Sequence, residues 1–259
     1  MMTFLLPRLR LLWAGLLLTG CISQRQLPYL QGADYSTQTA VAVANVPTPY
    51  LLQPNDVLSV RVQSAQPALN EIFNVTDTRA IFGGDPGNMF LAGYNVDAAG
   101  TVNLPTVGPV KVAGLTTDQA QATIQQQVNR FVRDANVLVK LLSFKVTVLG
   151  EVRNPGRYFV YNAQANVLEA LGLAGDLTEF GNRRNVKLIR QTAKGSEVIL
   201  LDLTDAKLLA SPSYYLLPND ALYVEPVKAR ATRGNATNLG LVFGGVSALV
   251  LLLNYIKLQ

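Results

Sequence analysis

The one cysteine in the chain stands where a thiol would be acylated. Arg8 and Arg10 precede an apolar run from Leu11 to Leu18, which closes on Leu18-Thr19-Gly20-Cys21. That is the order of a charged n-region, an h-region too short to span a bilayer as a stable helix, and small residues ahead of a cleavage point. The pattern is that of a bacterial lipobox. Residues 1–20 read as a lipoprotein signal peptide, with diacylglycerol carried on the Cys21 sulfur. Two or three acyl chains hold a protein on a membrane durably where one does not. Cys21 is followed by Ile22, Ser23, Gln24 and Arg25, with no Asp to signal inner-membrane retention, so outer-membrane sorting is expected. One Cys also excludes an internal disulfide.

Other chemistry is scarce. The 259 residues include no His. That removes the commonest general base, the commonest metal ligand and every Ser-His or Cys-His nucleophile pair. No catalytic, cofactor-binding or metal-ligating residue is assigned. A carboxylate-only glycosidase, using for example Glu169 and Glu179, stays open. Gly83-Gly84-Asp85-Pro86-Gly87 lacks the Gly-Lys-Ser/Thr of a phosphate loop. The net charge is +5, but Lys and Arg are scattered with no basic face, so no nucleic-acid partner is indicated. Two carboxylates sit in an internal echo: Pro54-Asn55-Asp56-Val57-Leu58 recurs as Pro218-Asn219-Asp220-Ala221-Leu222. Each copy reads as a turn that launches a strand, with Asn tolerating φ > 0 and Asp accepting local N–H groups rather than forming a catalytic pair.

The elements around these residues give an α+β chain. Gln24 to Pro49, rich in Gln, Thr, Ala and Pro, reads with Cys21 as an extended tether over 21–49. Val57–Val62 alternates as a strand. Tyr94–Asp97 and Thr101–Leu104 flank Ala98-Ala99-Gly100 as a hairpin, and Val107–Val112 is a short strand interrupted by Gly108-Pro109. Thr116 caps a helix whose buried stripe is Ala120, Ile124, Val128 and Phe131, and Val137–Leu142 is a closing strand. From Val146 the order is strand, turn at Asn154-Pro155-Gly156 with Gly156 at φ > 0, strand, helix and strand. The helix carries apolar Val167, Leu168, Leu171, Leu173 and Ala174, and Gly175 ends it. In the last strand Lys187 and Arg190 interleave with Val186 and Leu188. Residues 236–256 are uncharged and dense in Leu, Val, Ala and Gly. As a helix they reach about 31 Å, the thickness of a hydrocarbon core. Thr237, Gly240, Gly244, Ser247 and Asn254 form a small and polar seam on this helix, along which copies could pack.

Two stretches resemble one family. Val146, Val148, Gly150, Val152, Pro155, Gly156, Ala170, Ala174, Gly175 and Arg190 resemble the soluble-ligand-binding β-grasp module of bacterial outer-membrane polysaccharide export proteins. The family usually has a second glycine where this chain has Asp176. Leu52, Pro54, Asp56, Val57, Leu58 and Val60, then Asp97, Gly100, Pro105, Gly108, Val110, Gly114 and Leu115, resemble the family's polysaccharide export domain. The resemblance implies an export domain over 50–143, a β-grasp domain over 144–227 and a transmembrane helix over 236–256.

It further implies an outer-membrane lipoprotein with periplasmic domains and no enzymatic activity. Copies would oligomerise as a ring into a conduit for capsular or extracellular polysaccharide. The implied partner is an inner-membrane polysaccharide co-polymerase, often with a tyrosine kinase domain. Tyr158, Tyr161, Tyr214 and Tyr215 could stack on sugars, or serve as core or subunit contacts. The alternative is a periplasmic glycan-binding or scaffold lipoprotein without a pore.

Overall fold

The structure is a computed structural model. It describes residues 28–32, 35, 38–66, 70, 72–74, 93–192, 195–227, 243–253, 255 and 256.

The first domain is built on β1 (Val57–Gln63), the centre of a small sheet between β2 (Tyr94–Asn95) and β5 (Asn136–Leu141). Both neighbours run antiparallel to β1. The alternation in β1 buries Leu58, Val60 and Val62. β3 (Thr101–Leu104) and β4 (Gly108–Lys111) form a separate two-stranded sheet. The expected hairpin between Tyr94–Asp97 and Thr101–Leu104 is therefore corrected. The turn exists, with Asp97 N bonded to Thr101 O at 2.9 Å, but its two arms enter different sheets.

Helix α1 (Thr117–Val128) covers this core with Ala120, Ile124 and Val128. Its start is a capping box: Thr116 Oγ1 accepts from Gln119 N, and Gln119 Oε1 accepts from Thr116 N. Phe131 does not extend the stripe. It lies beyond the helix end, exposed, edge-on to Phe73.

The second domain is a five-stranded sheet with the order β10-β9-β12-β6-β7. Its strands are β6 (Lys145–Gly150), β7 (Gly156–Phe159), β9 (Gly181–Thr192), β10 (Gly195–Leu201) and β12 (Ala221–Pro226). The last strand in sequence is central, parallel to β6 and antiparallel to β9. Val146, Val148, Val186, Leu188, Leu222 and Val224 face helix α2 (Val167–Leu173), which presents Val167, Ala170 and Leu171. Leu173 is exposed instead of buried. A two-residue pair, β8 (Ala165–Asn166) with β11 (Tyr215–Leu216), flanks α2.

Glycine chemistry at the β6–β7 connection differs from the sequence reading. Gly156 is not among the residues with positive φ; it opens β7, and a Cβ there would meet only the Tyr158 ring at 3.7 Å or more. The left-handed position is Gly150, at φ 91, and its Cβ would lie 2.0 Å from the Val224 carbonyl oxygen. The chain bends there because β12 passes against it. Residues 152–154 then bond to the segment after α2, Arg153 N to Asp176 O and Asn154 N to Ala174 O, before β7 begins.

This contrast is testable. Gly150→Ala should lower the unfolding free energy by about 2–4 kcal/mol, from left-handed strain and a backbone clash. Gly156→Ala should change it by less than about 1 kcal/mol. Urea denaturation of both variants measures the difference.

Candidate functional site

Each Pro-Asn-Asp turn places its Asn in the left-handed region, Asn55 at φ 73 and Asn219 at φ 69. Each then buries its carboxylate, and the two are held alike from behind. Gln53 N donates to Asp56 Oδ2 at 2.8 Å, and Leu217 N donates to Asp220 Oδ2 at 2.7 Å. Beyond that shared loop they differ. Asp56 accepts from Tyr50 Oη at 2.9 Å and from Ser143 Oγ at 3.1 Å. It thereby ties the end of the N-terminal segment to the connection between domains. Asp220 takes the Arg190 guanidinium, Nε to Oδ1 at 3.0 Å and Nη2 to Oδ2 at 2.7 Å. Arg190 Nη2 also donates to Tyr215 O at 3.2 Å.

Arg190 is thus corrected from the reading that set it between Val186 and Leu188. All three share the core-facing side of β9, and Arg190 is admitted there by a carboxylate. Burial pushes the Asp56 carboxyl above its ordinary value, against the lowering pull of its hydrogen bonds from Gln53, Tyr50 and Ser143. The same burial, with the Asp56 charge, pushes the Tyr50 phenol up.

Pro218 of the second turn, and Tyr50, whose hydroxyl Asp56 of the first turn holds, line a cleft of about 430 Å³ between the domains. The first domain contributes Tyr50, the first-turn residues Thr117 and Asp118 of α1, and Lys140 from β5. Across from them stand Tyr161, Asn162 and Gln164 of the β7–β8 connection, with Tyr215 of β11. Leu141, Phe144 and Leu217 supply apolar surface. The four tyrosines singled out in the sequence separate here. Tyr161 and Tyr215 line the cleft. Tyr214 packs against the core of the second domain and meets Tyr215 edge-to-face at 5.4 Å. Tyr158 packs on the same core and donates its hydroxyl to Asn154 O. Tyr50 was missed: its signal, an aromatic six residues ahead of the turn aspartate, becomes legible only once Asp56 is known to be buried.

The N-terminal segment is extended, as its composition suggests, yet part of it is fastened. Leu30 N bonds to Leu203 O at 3.0 Å, and Ala206 N bonds to Gln31 O at 3.0 Å. Tyr29 donates its hydroxyl to Asp176, while the Arg183 guanidinium lies 5.4 Å from the centre of its ring. Asp176 itself sits at φ 70 directly after Gly175 at φ 75. It fills a position where glycine would be easiest and uses its carboxylate there.

Other assigned residues are less informative. Pro155 precedes the strand that Gly156 opens. Gly244 and Ser247 lie in a helical run over 243–253 whose side chains are exposed. Cys21, Thr237, Gly240 and Asn254, with the signal peptide, lie outside the described residues. Among the described residues no helix is long and apolar enough to cross a membrane, and no cluster of His, Cys, Asp and Glu could hold a metal ion.

The two domains have known relatives. Residues 44–142 match the family described as polysaccharide biosynthesis/export protein, and residues 145–201 match the SLBB domain. The chain thus carries a polysaccharide biosynthesis/export domain followed by an SLBB domain. It is 32% identical over 151 residues to the EPS I polysaccharide export outer membrane protein EpsA of Ralstonia nicotianae, covering 55% of this chain and 39% of the relative. It is 31% identical over 202 residues to the polysialic acid transport protein KpsD of Escherichia coli, covering 69% of this chain and 35% of the relative. It is 28% identical over 172 residues to the capsule polysaccharide export outer membrane protein CtrA of Neisseria meningitidis, covering 62% and 40%. The matches thus span less than half the length of each relative.

The two carboxylates should answer differently to substitution. Asp220→Ala leaves the Arg190 charge largely buried without its partner and should cost about 3–5 kcal/mol. For Asp56 the sign follows from its raised folded-state value. The native chain takes that proton more readily than the unfolded one, so the group's contribution to stability grows as pH falls and shrinks as pH rises through the folded value. The stability of the wild type relative to Asp56→Asn should therefore increase between pH 7 and pH 4, measured by urea unfolding of both proteins.

Proposed function

We propose that this chain is an outer-membrane lipoprotein of polysaccharide export. Its copies assemble into a ring, and their C-terminal helices, over 236–256, form a conduit for a capsular or extracellular polysaccharide. The lipid is on Cys21 and the two β-rich domains stand in the periplasm, facing an inner-membrane polysaccharide co-polymerase. The work asked of the protein is geometric: a single helix encloses nothing, so a passage needs several subunits around a common axis.

The observation that carries this reading is that both ends of the folded body leave from one corner. Val227 N bonds to Phe180 O at 2.8 Å, and Pro226 pairs with Gly181. Tyr29 rests on Asp176 and Arg183, either side of those same residues. Cys21 lies seven positions before Pro28, a reach of at most about 25 Å. The helix over 236–256 starts nine residues after Val227. A lipid on one end and an apolar helix on the other can therefore enter the same bilayer beside the β-grasp domain. Phe243, Val246, Leu249, Leu252 and Leu253 are exposed in the single chain, which supports a lipid or subunit environment for them. The seam at Thr237, Gly240, Gly244, Ser247 and Asn254 would then face a neighbouring copy.

Cys21→Ser should abolish incorporation of labelled palmitate and release the protein from purified outer membranes. A Cβ at Gly244 has open space within the chain, so Gly244→Leu should leave the monomer intact while weakening contact between copies. Cross-linking in membranes should give large rings for the wild type and smaller species for Gly244→Leu. Monomers alone in the wild type would sink the conduit and favour a periplasmic glycan-binding scaffold.

A further inference from the structure

We propose that the cleft between the two domains is a saccharide subsite that holds a short, uncharged segment of the polymer. The class of ligand rests on the polysaccharide reading above; the location and the preference for a neutral segment rest on the cleft itself. Its polar groups are of the kind that bond hydroxyls from two sides: the amides of Asn162 and Gln164, the carboxylate of Asp118 and the hydroxyl of Thr117. Tyr161 and Tyr215 add rings on which the C–H face of a pyranose can lie. Tyr161 is 74% exposed, so the fold does not require its ring.

One anionic and one cationic side chain, Asp118 and Lys140, stand on the export-domain wall, and their charges offset. The cleft thus offers an acidic sugar no net attraction. Its volume, about 430 Å³, lies in the range of small-ligand sites.

The walls are fixed before any ligand arrives. Asp56 holds the hydroxyl of Tyr50, and Asp220 with Arg190 holds Leu217 N and Tyr215 O. Pro47 and Pro49 stiffen the segment that leads into Tyr50. A preformed site loses less freedom on binding. Because its two walls belong to different domains, a bound glycan also bridges them.

The test uses the full-length protein in detergent and saturation-transfer difference NMR. The probes are maltotriose, cellotriose and laminaritriose, with a sialic acid trimer as the acidic probe and a proline-rich decapeptide as the peptide probe. At least one neutral trisaccharide should receive saturation, and the signal should fall at least fivefold in Tyr161→Ala and in Gln164→Ala with the melting temperature unchanged. The proposal is overturned by no transfer to any neutral probe, by transfer unchanged in both variants, or by transfer to the acidic or peptide probe alone. Surface polysaccharide in a strain deleted for the gene judges the broader reading separately. Export that survives the deletion removes that reading and leaves the NMR result to decide the cleft.

Discussion

A carboxylate taken out of water must be surrounded by donors, and this chain imposes that requirement twice. Asp56 and Asp220 are both almost wholly buried, at 3% and 1% exposure. Each recruits the backbone N–H three residues earlier, which closes a tight loop and aims the following residues into a strand. Neither loop could close with an ordinary residue at the preceding position, because Asn55 and Asn219 must enter the left-handed region. What differs is the second partner. In the export domain it is a hydroxyl pair, Tyr50 and Ser143; in the β-grasp domain it is a guanidinium. The two domains therefore share a device for starting a strand and use it to hold opposite walls of one cleft.

Much of this was written in local sequence. The Pro-Asn-Asp echo, the Thr116 cap and the strand alternation in Val57–Val62 all rest on residues a few positions apart, and short-range chemistry decides them. Arg190 is the instructive failure. By parity it shares a face with Val186 and Leu188, yet a cation on a core face looks implausible until Asp220, thirty residues on, is placed opposite it. Gly150 and Gly156 show the same limit. Both lie near a chain reversal, but only the approach of Val224 tells which one must lack a side chain. The fastening of Tyr29 to Asp176 and Arg183 joins residues about 150 apart, and the surrounding Gln-, Thr- and Pro-rich composition gives no hint of it.

The cleft was legible only as a set of aromatic residues without a place. Tyr161 and Tyr215 are brought together with Tyr50 and Asp118 because the connection Leu141–Phe144 is short and is pinned by Ser143 to Asp56. Val57 adds to that pin, its N–H donating to Ser143 Oγ at 3.1 Å and its carbonyl accepting from Leu142 N at 2.8 Å. Helix α1 supplies Thr117 and Asp118 to the cleft for the same reason that it begins where it does, since the Thr116 cap fixes its first turn beside the end of β5.

The central place of β12 bears on how the chain is made. The strand that separates β6 from β9 is the last of the domain to leave the ribosome. Until it arrives, β6–β7 and β9–β10 are two ribbons with a gap between them, and the faces that will bury Leu222 and Val224 stay wet. Such late, long-range closure is slow compared with hairpin formation. The emerging polypeptide thus carries its second domain ajar, a form open to chaperones and proteases. Release of a finished body has to wait for the segment that adjoins the apolar tail.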